Sequence, residues 1–188
     1  MTTDVSATGV PSVRLFFAAM PGAAAAGHLD AAARALPPSP SARLVPAVSR
    51  HLTVAFVGNV AATRLPALRA VGARQRTAAF RLRFDAYEYW PKPEVVVAVA
   101  RLVPPALDQL WRQLHRDLAA EGWALDAKRL RPHVTLARKV AQPPVLPAMS
   151  PFDWCVDALH LVRSDTSGSE SVYTVVDTWP LLYEPEKH

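Results

Sequence analysis

Two stretches of this chain, RHLTVAFVG at residues 50–58 and PHVTLAR at residues 132–138, share one arrangement: histidine, an apolar residue, threonine, then two apolar residues. In an extended strand, side chains at i and i+2 point to the same face, roughly 6.6 Å apart. His51 and Thr53 therefore share one face, and His133 and Thr135 share another. Leu52, Val54 and Phe56 on the first strand, and Val134 and Leu136 on the second, point the other way into a core. By the same alternation Ala55 and Ala137 fall on the histidine faces, where small side chains leave room. A fold that accommodates both strands must turn two matching polar faces toward solvent or a common cleft.

The segments around these strands alternate in type. VRLFFAAM reads as a strand, and HLDAAARAL as a helix stopped by Pro37 and Pro38. PPSPSARLVPA is a loop with a short strand, after which the first marked strand runs to Gly58 and RLPALRAVGARQRT forms a second helix. FRLRFDAYEYW has strand periodicity over most of its length and is predicted to pair with EVVVAVARL as a hairpin turning at Pro91, Lys92 and Pro93. PPALDQLWRQLHRDLAAEG is the clearest helix, with prolines at its start, an apolar stripe of Leu107, Leu110, Trp111, Leu114 and Leu118, and Gly122 at its end. The second marked strand and the loop AQPPVLPAMSP follow. FDWCVDALHLVRSD and SVYTVVDTWPL then form a closing hairpin around TSGSE. This order predicts an α+β domain with mostly antiparallel sheet, and the recurrence of a marked strand after a helix predicts an internal duplication. Residues 1–12 read as a flexible amino-terminal tail and residues 13–188 as a single domain.

Composition narrows the classes. The chain has 188 residues, 51% hydrophobic and 20% charged, as in a soluble globular domain with a sizeable core. A formal charge of +5 and an isoelectric point near 9.8 favour anionic partners such as nucleic acid or phosphorylated substrates. A single cysteine, Cys155, excludes an intramolecular disulfide and fits a reducing, cytoplasmic setting; its alternating neighbours make it a small core residue. The apolar run from Leu15 to Met20 is too short for a signal peptide, is broken by Pro21 and Gly22, and is preceded only by Arg14 as a basic residue. No run reaches the roughly 18 apolar residues of a membrane span.

Two imidazoles and two hydroxyls facing one cleft suit phosphodiester chemistry. Unperturbed histidine titrates near pH 6.5, so one ring can take a proton while the other gives one. Threonine hydroxyls can hydrogen-bond the nonbridging oxygens and hold phosphorus between the rings. A metal centre fits less well, because neither motif carries the carboxylate or cysteine that two histidines would need beside them. No cofactor is called for.

RHLTVAFVG and PHVTLAR resemble the paired His-X-Thr motifs of the two-histidine phosphoesterases, in particular the RNA 2',3'-cyclic phosphodiesterase family, also called 2'-5' RNA ligases. The resemblance extends to RLFFAAMP, similar to the family's first strand, to RLV ahead of the first motif, and to FDWCVDALHLVRSD with YTVVDTWPL, similar to its closing hairpin. It implies a bilobal α+β fold with two pseudo-symmetric antiparallel sheets, helices outside and a central cleft. It also implies metal-independent opening of terminal 2',3'-cyclic phosphates of RNA to 2'-phosphates, with 2'-5' joining or cleavage in some members. By that resemblance His51 is the general acid on the leaving 3' oxygen, His133 is the general base on water, and Thr53 and Thr135 bind phosphate. The same resemblance makes Arg138 a phosphate ligand, although strict alternation places it opposite His133, so that a bulge, a strand end or its own length must bring it round. RNA ending in a cyclic phosphate, tRNA fragments included, is the partner implied, with a monomer as the acting unit and no membrane.

Two departures from the family pattern stand out. Arg50 precedes His51 where an apolar residue is more usual, bringing a cation to the cleft or facing solvent; GSESVY replaces a glycine-rich turn before Tyr173. Phe56 takes the place in the first motif that Arg138 takes in the second, and either packs in the core or stacks on a base. Trp90, with Tyr87 and Tyr89 nearby, offers a stacking surface or simple packing. Lys128, Arg129 and Arg131 lead into the second motif, where they steer a polyanion or lie solvated. His28, His115, His160 and His188 read as structural. Two other readings remain open: an enzyme acting on a small cyclic phosphate or 2'-5' oligonucleotide, and a non-catalytic module that binds RNA ends.

Overall fold

The computed structural model describes residues 4–5, 11–125, 130–165 and 171–182. Asp4–Val5 forms β1 and pairs with the start of β2, Pro11–Ala19. Helix α1, Ala23–Arg34, follows, then β3, Arg43–Leu44, a single 3-10 turn at Ala47–Ser49, and β4, Leu52–Ala61. Next come α2, Leu65–Arg74; β5, Phe80–Phe84; β6, Ala86–Trp90; and β7, Val95–Val99. The long helix α3, Pro105–Ala120, precedes β8, His133–Arg138, and the chain closes with β9, Phe152–Val156, β10, Ala158–Asp165, and β11, Val172–Pro180.

The strands pair antiparallel in the order β11-β10-β2-β4-β8-β7-β6. Two half-sheets meet in the middle of this order, because β4 and β8 are joined only through Leu52 opposite Val134. Each half contains a helix-connected antiparallel pair ending in a marked strand, β2-α1-β4 in one and β7-α3-β8 in the other. The expected duplication is thus visible in the topology, with the Leu52–Val134 pair near its axis.

One face of the sheet is dry. Leu15, Phe17, Leu52, Val54, Val134 and Leu136 join Leu29 of α1, Leu68 and Val71 of α2, and Leu107, Leu110, Leu114 and Leu118 of α3 in the main core. The four leucines of α3 recur at three- and four-residue spacing, so they form the helix's one buried stripe. Gly72 lets α2 settle on β11: a Cβ there would lie 2.4 Å from the Trp179 ring, so any side chain would push the helix away.

The predicted hairpin strands differ from the observed ones. FRLRFDAYEYW is two strands broken at Asp85, and FDWCVDALHLVRSD is two strands broken at Asp157. β6 pairs with β7 as expected, and β10 with β11, but β5 and β9 leave the large sheet and pair with each other from Phe80–Val156 to Phe84–Phe152. Each aspartate falls where alternation expects a polar residue, so the period-two pattern runs through the break without a mark, although aspartate is a poor strand former. In β9, Phe152, Trp154 and Val156 face the core and Cys155 faces outward, so Cys155 is exposed rather than a core residue.

Candidate active site

Register decides which side chains reach the cleft. Between β2 and β4, Phe17 faces Ala55 and Ala18 faces Thr53, so Val54 is an extra, bulged residue. Between β7 and β8, Val96 faces Ala137 and Val97 faces Thr135, so Leu136 is bulged in the same way. Both bulges fall directly after the motif threonine, and each reverses the alternation beyond it. Ala55 and Ala137 consequently turn inward, at 2% and 3% exposure, and neither lines the central cleft, against expectation. Arg138 turns to the side of His133, and Phe56 turns out of the core to 48% exposure.

The cleft, of about 240 Å³, is lined by His51, Thr53, His133, Thr135 and Arg138, with Val45, Ser49, Trp90, Pro93 and Val95 around them. Antiparallel register about the Leu52–Val134 pair sets His51 near Thr135 and Thr53 near His133, each histidine diagonal to the other. Both rings are held alike. His51 Nδ1 lies 2.8 Å from the Ser49 carbonyl, and His133 Nδ1 lies 2.7 Å from the Arg131 carbonyl. A carbonyl only accepts, so each Nδ1 carries its proton and each Nε2 is left as the exchanging nitrogen.

The walls are aromatic. Phe16 and Tyr173 pack against His51 with centroids 4.7 Å and 4.9 Å away, and Trp90 packs against His133 at 4.5 Å. Burial among these rings lowers the His51 pKa from 6.5 to about 4; the Ser49 carbonyl opposes the shift, and the positive charges of Arg138 and His133 add to it. His133 is lowered for the same first reason, and the Arg131 carbonyl opposes this. Among charges, Arg131 and Arg138 lower it further while Glu88 raises it.

Glu88 went unnoticed in the sequence. Its Oε2 accepts from Arg131 Nη2 at 2.6 Å and from Trp90 Nε1 at 2.7 Å, and Arg131 lies over the Trp90 ring at 4.9 Å. The available signal was a carboxylate two residues before Trp90 in a strand, hence on the same face. Arg50 is also not as expected: it is 6% exposed and paired with Asp30 of α1, with Nε donating to the Val45 carbonyl at 3.1 Å. It clamps the turn that supplies the Ser49 carbonyl and adds no cation to the cleft.

His28, His115 and His160 lie outside the central cleft. His28 stacks on Phe152 at 5.2 Å, His115 Nδ1 lies 2.8 Å from the Trp111 carbonyl, and His160 Nδ1 lies 3.0 Å from Thr178 Oγ1. Tyr87 and Tyr89 donate to the carbonyls of Ala32 and Val140 and serve packing. Lys128, Arg129, His188 and Gly168, Ser169 and Glu170 of GSESVY lie outside the described residues. Among the described residues, no cluster of three or more His, Cys, Asp or Glu side chains could hold a metal ion, and no helix is long and apolar enough to cross a membrane.

Residues 20–168 match the 2'-5' RNA ligase superfamily. The chain belongs to that superfamily. It is 31% identical over 146 residues to the RNA 2',3'-cyclic phosphodiesterase of Escherichia coli, covering 77% of this chain and 82% of that one. To the RNA 2',3'-cyclic phosphodiesterase of Thermus thermophilus it is 33% identical over 153 residues, covering 74% and 76%. The crystal structure of Escherichia coli LigT complexed with 3'-AMP superposes with a TM-score of 0.81 at 29% identity, over 90% of this chain and 98% of that one. The superfamily fold expected from the paired motifs, α+β with antiparallel sheets, is the fold observed.

Proposed function

We propose that this chain is a hydrolase that opens RNA 2',3'-cyclic phosphate ends to 2'-phosphates by paired-histidine acid and base catalysis. The observation that carries the reading is the pair of imidazoles in one cleft, each with Nδ1 tied to a backbone carbonyl and Nε2 free. Its relatives named RNA 2',3'-cyclic phosphodiesterase support the choice of substrate.

The cyclic phosphate sits between the rings, its nonbridging oxygens accepting from Thr53, Thr135 and Arg138. His133 Nε2 takes a proton from water as the water oxygen attacks phosphorus. The bond from phosphorus to O3' breaks, and His51 Nε2–H gives O3' a proton, leaving a 2'-phosphate and a free 3'-hydroxyl. In-line displacement requires acid and base on opposite sides of phosphorus, which two rings related by a twofold axis can supply.

The environments suit these roles. Glu88 favours the charged His133 that forms as the base takes its proton. Among the described residues no carboxylate acts on His51, and its lowered pKa makes the protonated ring a strong acid. A bound phosphodiester anion between the rings offsets their burial and allows one to load a proton. In this proposal the catalytic unit is the single bilobal domain of residues 13–188, acting as a monomer in the cytoplasm on RNA ends that include tRNA fragments.

The test is a short RNA ending in a 2',3'-cyclic phosphate, incubated with excess chelator beside His51→Ala and His133→Ala. A 2'-phosphate made by the unmutated protein, and slowed on the order of a hundredfold or more in each variant, is expected. Undiminished rates in both variants would refute the assignment. RNA binding without turnover would favour an RNA-end-binding module instead.

A further inference from the structure

Two openings flank the catalytic cleft, and they differ in size and charge. On the His133 side a groove of about 910 Å³, with Phe56 and Trp90 in its walls, shares Thr53 and His133 with the cleft. On the His51 side lies a pocket of about 130 Å³ that shares Val45, Ser49 and Arg138 with the cleft and adds Arg43, Lys139 and Tyr173. The Tyr173 ring packs on His51 with centroids 4.9 Å apart, and the Ser49 carbonyl holds His51 Nδ1, so this pocket opens beside the acid.

Three cations converge on the small pocket, and the fold places them there against their mutual repulsion. Arg43 of β3 stands opposite Arg138 of β8, and residues directly opposite in a ladder share a face, with Cβ atoms about 5 Å apart. Like charges in that position are destabilising. Alternation would send Lys139 to the other face. However, β8 ends at Arg138 and Lys139 has φ +59°, a left-handed conformation uncommon for residues with a side chain, and Lys139 lines the same pocket. Among the described residues no carboxylate pairs with any of the three. By contrast Arg81 and Arg83, which lie two residues apart on β5, share Asp153 at 3.7 Å and 3.6 Å.

Positive charge kept clear of carboxylates suits an anion, and the volume limits its size. About 130 Å³ exceeds the roughly 30 Å³ of a water molecule but falls short of the roughly 300–1,000 Å³ of pockets for drug-sized ligands, so a phosphate group fits better than a whole nucleoside. In the mechanism proposed above, the ribose that gives up O3' lies toward His51. Its O5' then points out of the cleft on the side of this pocket, and the phosphate on O5' is the next anion along the chain. Arg138 borders both spaces, and a guanidinium with five N–H donors can serve two phosphates at once.

We propose that this pocket holds the phosphate on O5' of the terminal nucleoside, with Arg43 and Lys139 as its ligands and Arg138 shared with the cyclic phosphate. The inference rests on the function proposed above and deepens it. The substrate is a chain end, in which O5' carries the last internucleotide phosphodiester, rather than a lone nucleoside 2',3'-cyclic phosphate. Arg43 and Lys139 are thereby specificity-determining residues that hold the chain without touching the reacting bonds.

The experiment compares kcat/KM for three substrates that differ only at O5': adenosine 2',3'-cyclic phosphate with a free 5'-hydroxyl, the same nucleotide with a 5'-phosphate, and the adenylyl-adenosine dinucleotide with the same cyclic end. The unmutated protein is expected to favour both phosphate-bearing substrates by roughly tenfold or more at low salt, with the advantage shrinking as salt is raised. Arg43→Gln is expected to remove roughly three- to thirtyfold of that advantage and to leave the 5'-hydroxyl substrate within about twofold. Lys139→Asn, which tolerates the left-handed φ, should lose in the same way, and Arg43→Lys, which keeps the charge, should retain much of the advantage. Because it relieves the repulsion of Arg138, Arg43→Gln is also expected to hold or raise Tm. Equal kcat/KM on the three substrates, or an advantage that Arg43→Gln and Lys139→Asn leave intact, overturns the inference while the hydrolase reading stands. An advantage of the dinucleotide alone also overturns it, since the gain would then come from the added base. A lower Tm for Arg43→Gln with equal losses on all three substrates would assign Arg43 to structure and overturn it too. No hydrolysis of any of the three by the unmutated protein removes the parent reading, and this inference with it.

Discussion

Replacing His51 with glutamine should make the protein less sensitive to acid. Burial holds the His51 pKa at about 4 in the folded protein, against 6.5 in the absence of that environment. Between those values the unfolded chain binds a proton that the folded ring refuses, so stability present above pH 6.5 is lost progressively as pH falls toward 4. At about 1.4 kcal/mol for each pH unit separating the two values, this ring alone accounts for about 3 kcal/mol, a large part of the 5–15 kcal/mol that holds a domain together. His51→Gln keeps a polar side chain of similar size and does not titrate. Urea unfolding at a series of pH values from 7 to 4, followed by tryptophan fluorescence, should show the unmutated protein losing about 3 kcal/mol more than the variant over that range. A phosphate monoester at saturation should shrink the difference, because the anion compensates the charged ring. Parallel losses in the two proteins, with and without the ligand, would refute the account of a ring kept neutral by burial.

Glu88→Gln removes a carboxylate that raises the His133 pKa and leaves the Arg131 charge uncompensated. The acid limb of the kcat/KM profile should move to lower pH, and an unmoved or raised limb would dismiss Glu88 as the tuning group. Asp30→Asn leaves the Arg50 guanidinium, 6% exposed, without its opposite charge. Because Asp30 itself is 36% exposed, a loss of about 1–3 kcal/mol is expected, read as a Tm lower by roughly 2–12 °C, with Arg50→Met recovering most of it.

Much of the fold was legible before any coordinates because it depends on local periodicity. The leucines of α3 repeat at helical spacing, and β4 and β8 announce themselves as strands with a polar face. The breaks at Asp85 and Asp157 were hidden because each aspartate sits where a continuous strand would also want a polar residue. Their consequence, the pairing of β5 with β9, joins segments far apart in the chain and has no local signature. Arg50 looked like a surface or cleft cation because its partner Asp30 is brought to it only by the packing of α1.

At the site, the division follows the range of the forces. The repeated His-X-Thr motifs named the two imidazoles and two hydroxyls, since a two-residue spacing on one strand settles a shared face without further information. Strict alternation then misplaced Ala55, Ala137, Phe56 and Arg138, because each lies beyond a bulge that exists only through pairing with β2 or β7. The sequence by itself determined which chemical groups the protein has and that they recur in matched pairs. Only the tertiary structure decided that β4 and β8 meet at one residue pair, that the bulges turn Arg138 and Phe56 toward the cleft and its groove, and that aromatic burial drives the His51 pKa down. Register, desolvation and the approach of charges from other strands depend on distances through space that no local sequence pattern encodes.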